Sequence, residues 1–129
     1  MLNIVFYFQV HQPYRLRHFN VLDIGNNSEL FDEKLNAQVM RKVAEKCYLP
    51  TNKLLLELIK QHEGRFKIAF SITGTAIEQF KSYSPETLDS FKALVDTGCV
   101  ELIGETYFHS LSFLRSEERR VGKECRSRW

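Results

Sequence analysis

Ile4-Val5-Phe6-Tyr7-Phe8-Gln9-Val10-His11-Gln12-Pro13 is the stretch on which the reading of the fold turns. Residues 4–10 are aliphatic or aromatic except for Gln9, and they lack the clean alternation of a strand with one wet face. That pattern predicts a strand covered on both sides, as in a parallel sheet. Pro13 stops it, since its ring restrains φ and it carries no amide hydrogen. The strand therefore delivers an imidazole, His11, and a carboxamide, Gln12, to its carboxyl end.

Downstream, residues 14–35 mix Tyr14, Phe19 and Phe31 with basic residues and the turn-like Gly25-Asn26-Asn27-Ser28. This predicts a long loop with a helical turn near 29–35, and a loop of that length in a compact domain is more often functional than idle. From about Asn36 to Cys47, apolar residues recur at helical spacing. Leu49-Pro50 is expected to interrupt that helix. A second helix is predicted over about 51–62, with Leu54, Leu55, Leu58 and Ile59 inward and Gly64 as its stop.

Residues 66–72 read as the second strand, and Thr73-Gly74-Thr75 turns the chain into a short helix over 76–81. Ser84-Pro85-Glu86 starts another helix by capping, proline and early acid, with Leu88, Phe91, Leu94 and Val95 inward. Cys99 to Ile103 reads as the third strand. Helical crossovers between the strands allow parallel pairing, so the fold class is α/β with helices outside the sheet. Three strands are too few to close a barrel and would leave apolar edges bare. The expectation is that residues 1–114 are the truncated N-terminal part of something larger.

Residues 115–129 carry six basic and three acidic side chains, leaving twelve basic and thirteen acidic over 1–114, so the net charge of +2 comes from the end of the chain. A basic tail could bind nucleic acid. With only Val121 and Trp129 as sizeable apolar residues and no amphipathic period, 115–129 reads instead as a non-native extension, and no nucleic-acid partner is expected. Cys47, Cys99 and Cys125 stand apart without C-x-x-C spacing, which argues against a disulfide framework and a zinc cluster. No apolar run approaches bilayer length, and the N-terminus lacks the pattern of a signal peptide. A cytoplasmic protein without a membrane partner is expected.

In parallel α/β folds, functional groups collect at the carboxyl ends of strands. His11 and Gln12 follow the first strand, Thr73 the second, and Glu105 to His109 the third. Imidazole, carboxamide and carboxylate groups can grip sugar hydroxyls, and Tyr14, Tyr107 and Phe108 could form apolar platforms for sugar rings. Glu101 is odd in an apolar strand, since an ionised carboxylate is rarely buried without a partner; it either points into a polar cavity or pairs with a cation. Glu105-x-x-x-His109 has a spacing that suits one helical face, but H-x-H, H-x-D and H-E-x-x-H are absent, so neither metal nor cofactor is expected. There is no glycine-rich phosphate loop after the first strand and no G-x-S-x-G elbow.

Two motifs carry a family resemblance. His11-Gln12-Pro13, extended by Tyr14-Arg15, and Gly98-Cys99-Val100-Glu101-Leu102-Ile103 running into Gly104-Glu105-Thr106-Tyr107-Phe108-His109-Ser110-Leu111 resemble two of the short sequence regions of glycoside hydrolase family 57, the α-amylase-like group. The resemblance covers roughly residues 2–114. It implies the N-terminal part of an incomplete (β/α)7 barrel and, for the intact protein, retaining chemistry on α-glucans. By position it implies that His11 and Glu101 bind sugar, with Gln12, Glu105 and His109 as neighbours. The family's glutamate nucleophile and aspartate acid/base fall in later regions, so no catalytic residue is expected here and the chain alone is expected to be inactive. Two other readings stay open from the residues: a metal-dependent deacetylase or α-mannosidase-like barrel, and a non-catalytic module whose tail binds nucleic acid.

Overall fold

The computed structural model describes residues 4–20, 25 and 29–109. The elements run β1 (Phe6–Val10), α1 (Glu33–Val43), a π-helical turn (Ala44–Tyr48), α2 (Leu49–Gln61), β2 (Ile68–Ile72), α3 (Gly74–Tyr83), α4 (Pro85–Val95) and β3 (Val100–Leu102). The strands pair in the order β1-β2-β3, both pairs parallel, with Phe8 opposite Phe70 and Phe70 opposite Leu102. The α/β architecture with parallel strands and helical crossovers is thus as read from the sequence. The tail beyond Leu114 lies outside the described residues.

One face of the sheet carries Val10, Ile68 and Phe70 into a core with Met40, Leu55, Ile59, Phe80, Leu88, Phe91 and Leu94. Residues of both crossovers meet in this one cluster, so the helices cover a single face of the sheet. Phe91 stands edge-on to Phe70 with ring centroids 5.5 Å apart and stacks on Phe80 at 5.6 Å. Aromatic pairs of this geometry add to what burial alone contributes.

Leu49-Pro50 does not interrupt the first crossover. Val43 and Leu49 both keep right-handed helical angles, and the Leu49 N–H reaches the Ala44 carbonyl, the wider bond of a π turn. Pro50 brings no N–H to an α-helical ladder, and this wider turn takes up the mismatch just before it. A single buried stripe, Asn36, Met40, Ala44, Asn52, Leu55 and Ile59, therefore passes through the proline. Its phase turns Leu54 outward, 55% exposed, and puts Asn52 inward, where its Nδ2 donates to Ser90 Oγ at 2.8 Å. Leu54, expected inward from its spacing, thus faces out, while Leu55 and Ile59 are buried as expected.

The loop after β1 is pinned at its base. Arg17 N–H donates to the Leu30 carbonyl and Asp32 N–H to that of Arg15, forming a short antiparallel bridge between Leu16 and Phe31. Asn36, fully buried, accepts the Arg15 N–H through Oδ1 at 2.9 Å. Asp32 caps α1 by accepting the Leu35 N–H. Gly64 and Gly98 close their helices at positive φ, 75° and 71°, a conformation only glycine adopts without strain.

Candidate functional site

Side chains alternate across a strand, so residues opposite one another in register share a face. Tyr7 pairs with Ala69 and Ala69 with Glu101, while Gln9 pairs with Ser71. These five lie on the face away from the helices. Tyr7 Oη and Ser71 Oγ are 2.7 Å apart across it.

At the carboxyl ends of the strands this face gathers most of the polar groups singled out above. Gln9 Nε2 donates to Glu105 Oε1 at 2.8 Å and lies 2.8 Å from His109 Nδ1. Glu105 and His109 are in direct hydrogen-bond contact. The His109 ring lies 4.7 Å from that of His11, at an angle of 34°. His11 Nδ1 is 3.1 Å from Thr73 Oγ1, and Thr73 also caps α3 by accepting the Ala76 N–H. His11, Thr73, Glu105 and His109 thus converge, although nearly the whole described chain separates the first from the last.

Two sequence candidates stand apart from this cluster. The Gln12 side chain points to the helical layer, where its Nε2 donates to Tyr48 Oη at 3.0 Å. Glu101 is exposed on β3, in the row of Tyr7 and Ala69, and its carboxylate has no hydrogen-bond or ionic partner among the described residues. Of the two placements considered for it, the pairing with a cation is not formed among the described residues. Gln9 and Ser71, which the sequence reading passed over, belong to the cluster. Their signal was the two-residue period: Gln9 is the lone amide in an apolar strand and sits two positions before His11.

Burial, first, and then the neighbouring His109 ring push the His11 pKa below its ordinary 6.5, with Glu105 pulling weakly the other way. His11 is therefore neutral at pH 7, with one ring nitrogen donating and the other accepting. For Glu105, burial raises the carboxyl pKa, but hydrogen bonds to His109, Gln9 and Ser71 outweigh it and hold it below the usual carboxylate value. Glu105 stays ionised although its side chain is only 12% exposed. The cluster thus offers a neutral imidazole, an anion and an amide side by side, a set suited to hydroxyl-rich ligands. Among the described residues, no group of three or more His, Cys, Asp or Glu side chains is arranged to hold a metal ion.

Aromatic residues flank this cluster. The Tyr14 ring lies 4.8 Å from Phe31, and its hydroxyl donates to Glu78 Oε2 at 3.0 Å. Tyr107 and Phe108 meet edge to face at 4.9 Å, and Phe108 is 71% exposed. Tyr107 rests against Gly74 so closely that a Cβ there would fall 2.1 Å from its ring. The segment after β3 is thereby seated on the start of α3.

Fold and cluster together define a parallel α/β protein with its polar groups gathered at the strand ends. The model of glycosyl hydrolase family 57 matches residues 5–126, and the chain belongs to that family. A protein of Methanocaldococcus jannaschii provisionally named an alpha-amylase is 50% identical over 117 residues, which is 89% of this chain and 24% of that protein. An alpha-amylase of Pyrococcus horikoshii is 29% identical over 83 residues, 64% of this chain and 12% of its own length. The crystal structure of a 4-alpha-glucanotransferase from Thermococcus litoralis superposes with a TM-score of 0.52 at 18% identity, over 81% of this chain and 13% of that one, and so bears on the fold alone. The chain spans a quarter or less of the length of these relatives.

Proposed function

We propose that this chain forms part of the sugar cleft of a retaining glycoside hydrolase acting on α-glucans, within the N-terminal part of an incomplete (β/α)7 barrel. His11, Glu105 and His109 contact the sugar directly and Gln9 braces them, while Glu101 projects from β3 toward the same side. Gln12 acts through the main chain that it anchors. The observation that carries this reading is the convergence of Gln9, His11, Thr73, Glu105 and His109 at one end of a parallel sheet, in a chain of family 57.

The reaction itself needs a carboxylate to attack the anomeric carbon and an acid to protonate the leaving oxygen, about 5–5.5 Å apart in retaining enzymes. Glu105 is committed to His109 and Gln9, and neither it nor Glu101 is assigned either role. Both reacting groups belong to parts of the intact protein outside residues 1–114, with 115–129 a non-native extension, and the protein works in the cytoplasm. The test is glucan turnover by the intact protein. Hydrolysis or transfer of α-1,4-linked glucan that falls on His11→Ala substitution supports the proposal; turnover indifferent to His11 and Glu105 refutes the assignment of the cleft.

A further inference from the structure

Gln79 is buried in the helical layer with 1% of its surface exposed, yet it is a polar side chain on a core-facing position of α3. Its Nε2 donates to the main-chain carbonyl of Gln12 at 2.8 Å, while its Oε1 has no hydrogen-bond partner among the described residues. A buried oxygen left without a partner is destabilising, so an apolar residue of the same shape would serve stability at least as well. What an apolar residue could not supply is the donor to Gln12. That carbonyl lies just before Pro13, where the chain leaves the sheet and the ladder ends.

Gln12 is held a second time from the same side. Its Nε2 donates to the hydroxyl of Tyr48, the last residue of the π turn. The Tyr48 ring is itself fixed edge-on against Phe80 at 5.4 Å and near Phe91 at 6.0 Å. Main chain and side chain of Gln12 are thus each tied to the helical layer, by residues from two separate crossovers. The residue before it is His11, whose ring points the other way, to Thr73 and His109.

We propose that Gln79 and Tyr48 are positioning residues: by clamping Gln12 from the helical layer, they set the direction in which His11 is presented at the strand ends. The wide turn at Ala44–Tyr48 is then more than an accommodation of Pro50, because it brings the Tyr48 hydroxyl to Gln12. The effect on a ligand rests on the sugar-cleft reading; the effect on the His11 ring does not.

The experiment compares crystal structures and kinetics of the intact protein carrying Gln79→Met, which keeps length and removes the donor, and Tyr48→Phe, which removes only a hydroxyl. The expected result is that the His11 Nδ1 to Thr73 Oγ1 distance opens beyond hydrogen-bond range in either variant. KM for an α-glucan should rise about fivefold or more with kcat changed less than twofold. A His11 ring that stays in place in both variants overturns the proposal, whatever their Tm. Should Gln79→Met fail to fold, Tyr48→Phe decides alone. A wild-type protein that turns over no α-glucan would refute the sugar reading, and the crystallographic comparison would still decide the clamp.

Discussion

The rings of His11 and His109 lie 4.7 Å apart, one presented by the end of β1 and the other by the segment after β3. Because β2 lies between those strands, their contact depends on all three strands being parallel and in register. Disturbing either the sheet or the segment after β3 should separate them. The expected consequences can be measured individually.

His11→Ala and Glu105→Gln in the intact protein should each weaken glucan binding. Losing a hydrogen bond to a neutral group costs about 0.5–1.5 kcal/mol and one to a charged group about 1.5–3. That corresponds to roughly 2–10-fold for His11 and about 10-fold or more for Glu105 in kcat/KM. Steady-state kinetics on a soluble maltooligosaccharide would read both, and the order of the two effects is part of the prediction.

Stability should fall in acid in two stages. The folded state disfavours protonated His11, so the unfolded chain takes up that proton first and stability declines as pH drops below about 6.5. Glu105 has a depressed pKa when folded, so its contribution is present above 4.5 and is lost as pH falls past that value toward its folded pKa. Thermal melts from pH 8 to 3 on wild type and Glu105→Gln should show the lower stage weakened in the variant. An unchanged acid limb would disprove the role of Glu105.

Gly74→Ala should dislodge Tyr107, because the new methyl would fall 2.1 to 2.7 Å from three ring atoms. Overpacking of this kind costs about 1–3 kcal/mol. Combining it with Tyr107→Ala should recover part of the loss, and a double-mutant cycle by denaturant melts would show the coupling.

Leu55→Ala should cost about 2–5 kcal/mol, while Leu54→Ala, one residue earlier, should stay near zero. Leu55 is 5% exposed and Leu54 55% exposed. Equal losses at the two positions would mean that the stripe does not run through Pro50 as described.

Purified 1–129 should show no glucan hydrolysis and should self-associate through the β1 edge. Ile4, Val5 and Phe6 are 72%, 81% and 46% exposed there, and a bare apolar edge is a template for pairing. Val5→Lys should reduce association in sedimentation velocity. Hydrolysis by the isolated chain, or a stable monomer, would contradict the expectation.

Much of the architecture was legible because its signals are local. Thr73 marks a helix start and Gly64 a helix end through chemistry confined to a few residues. Ser84 also stands at a helix start, but it does not cap as expected, since its Oγ meets the Glu86 and Thr87 side chains and no main-chain N–H. Pro50 misled because proline ordinarily marks a break, and the wide turn that accommodates it carries no sequence signal of its own. Leu54 misled for the same reason: the phase of α2 is inherited through the proline from α1, not set by its own leucines.

At the site, His11, Glu105 and His109 were visible as polar residues following strands, whereas the partners of Gln12 were not. Gln79 looks like any glutamine in a helical run, and Tyr48 like any aromatic core residue.

The sequence by itself determined the parallel α/β class, through apolar strands separated by helical crossovers, and the strand end at which polar residues gather. Only the tertiary structure decided which of those residues meet. Hydrophobic periodicity is a property of each segment, but the Gln9–Glu105 and Gln12–Tyr48 hydrogen bonds depend on strand register and helix phase, which are set by packing between segments distant in the chain.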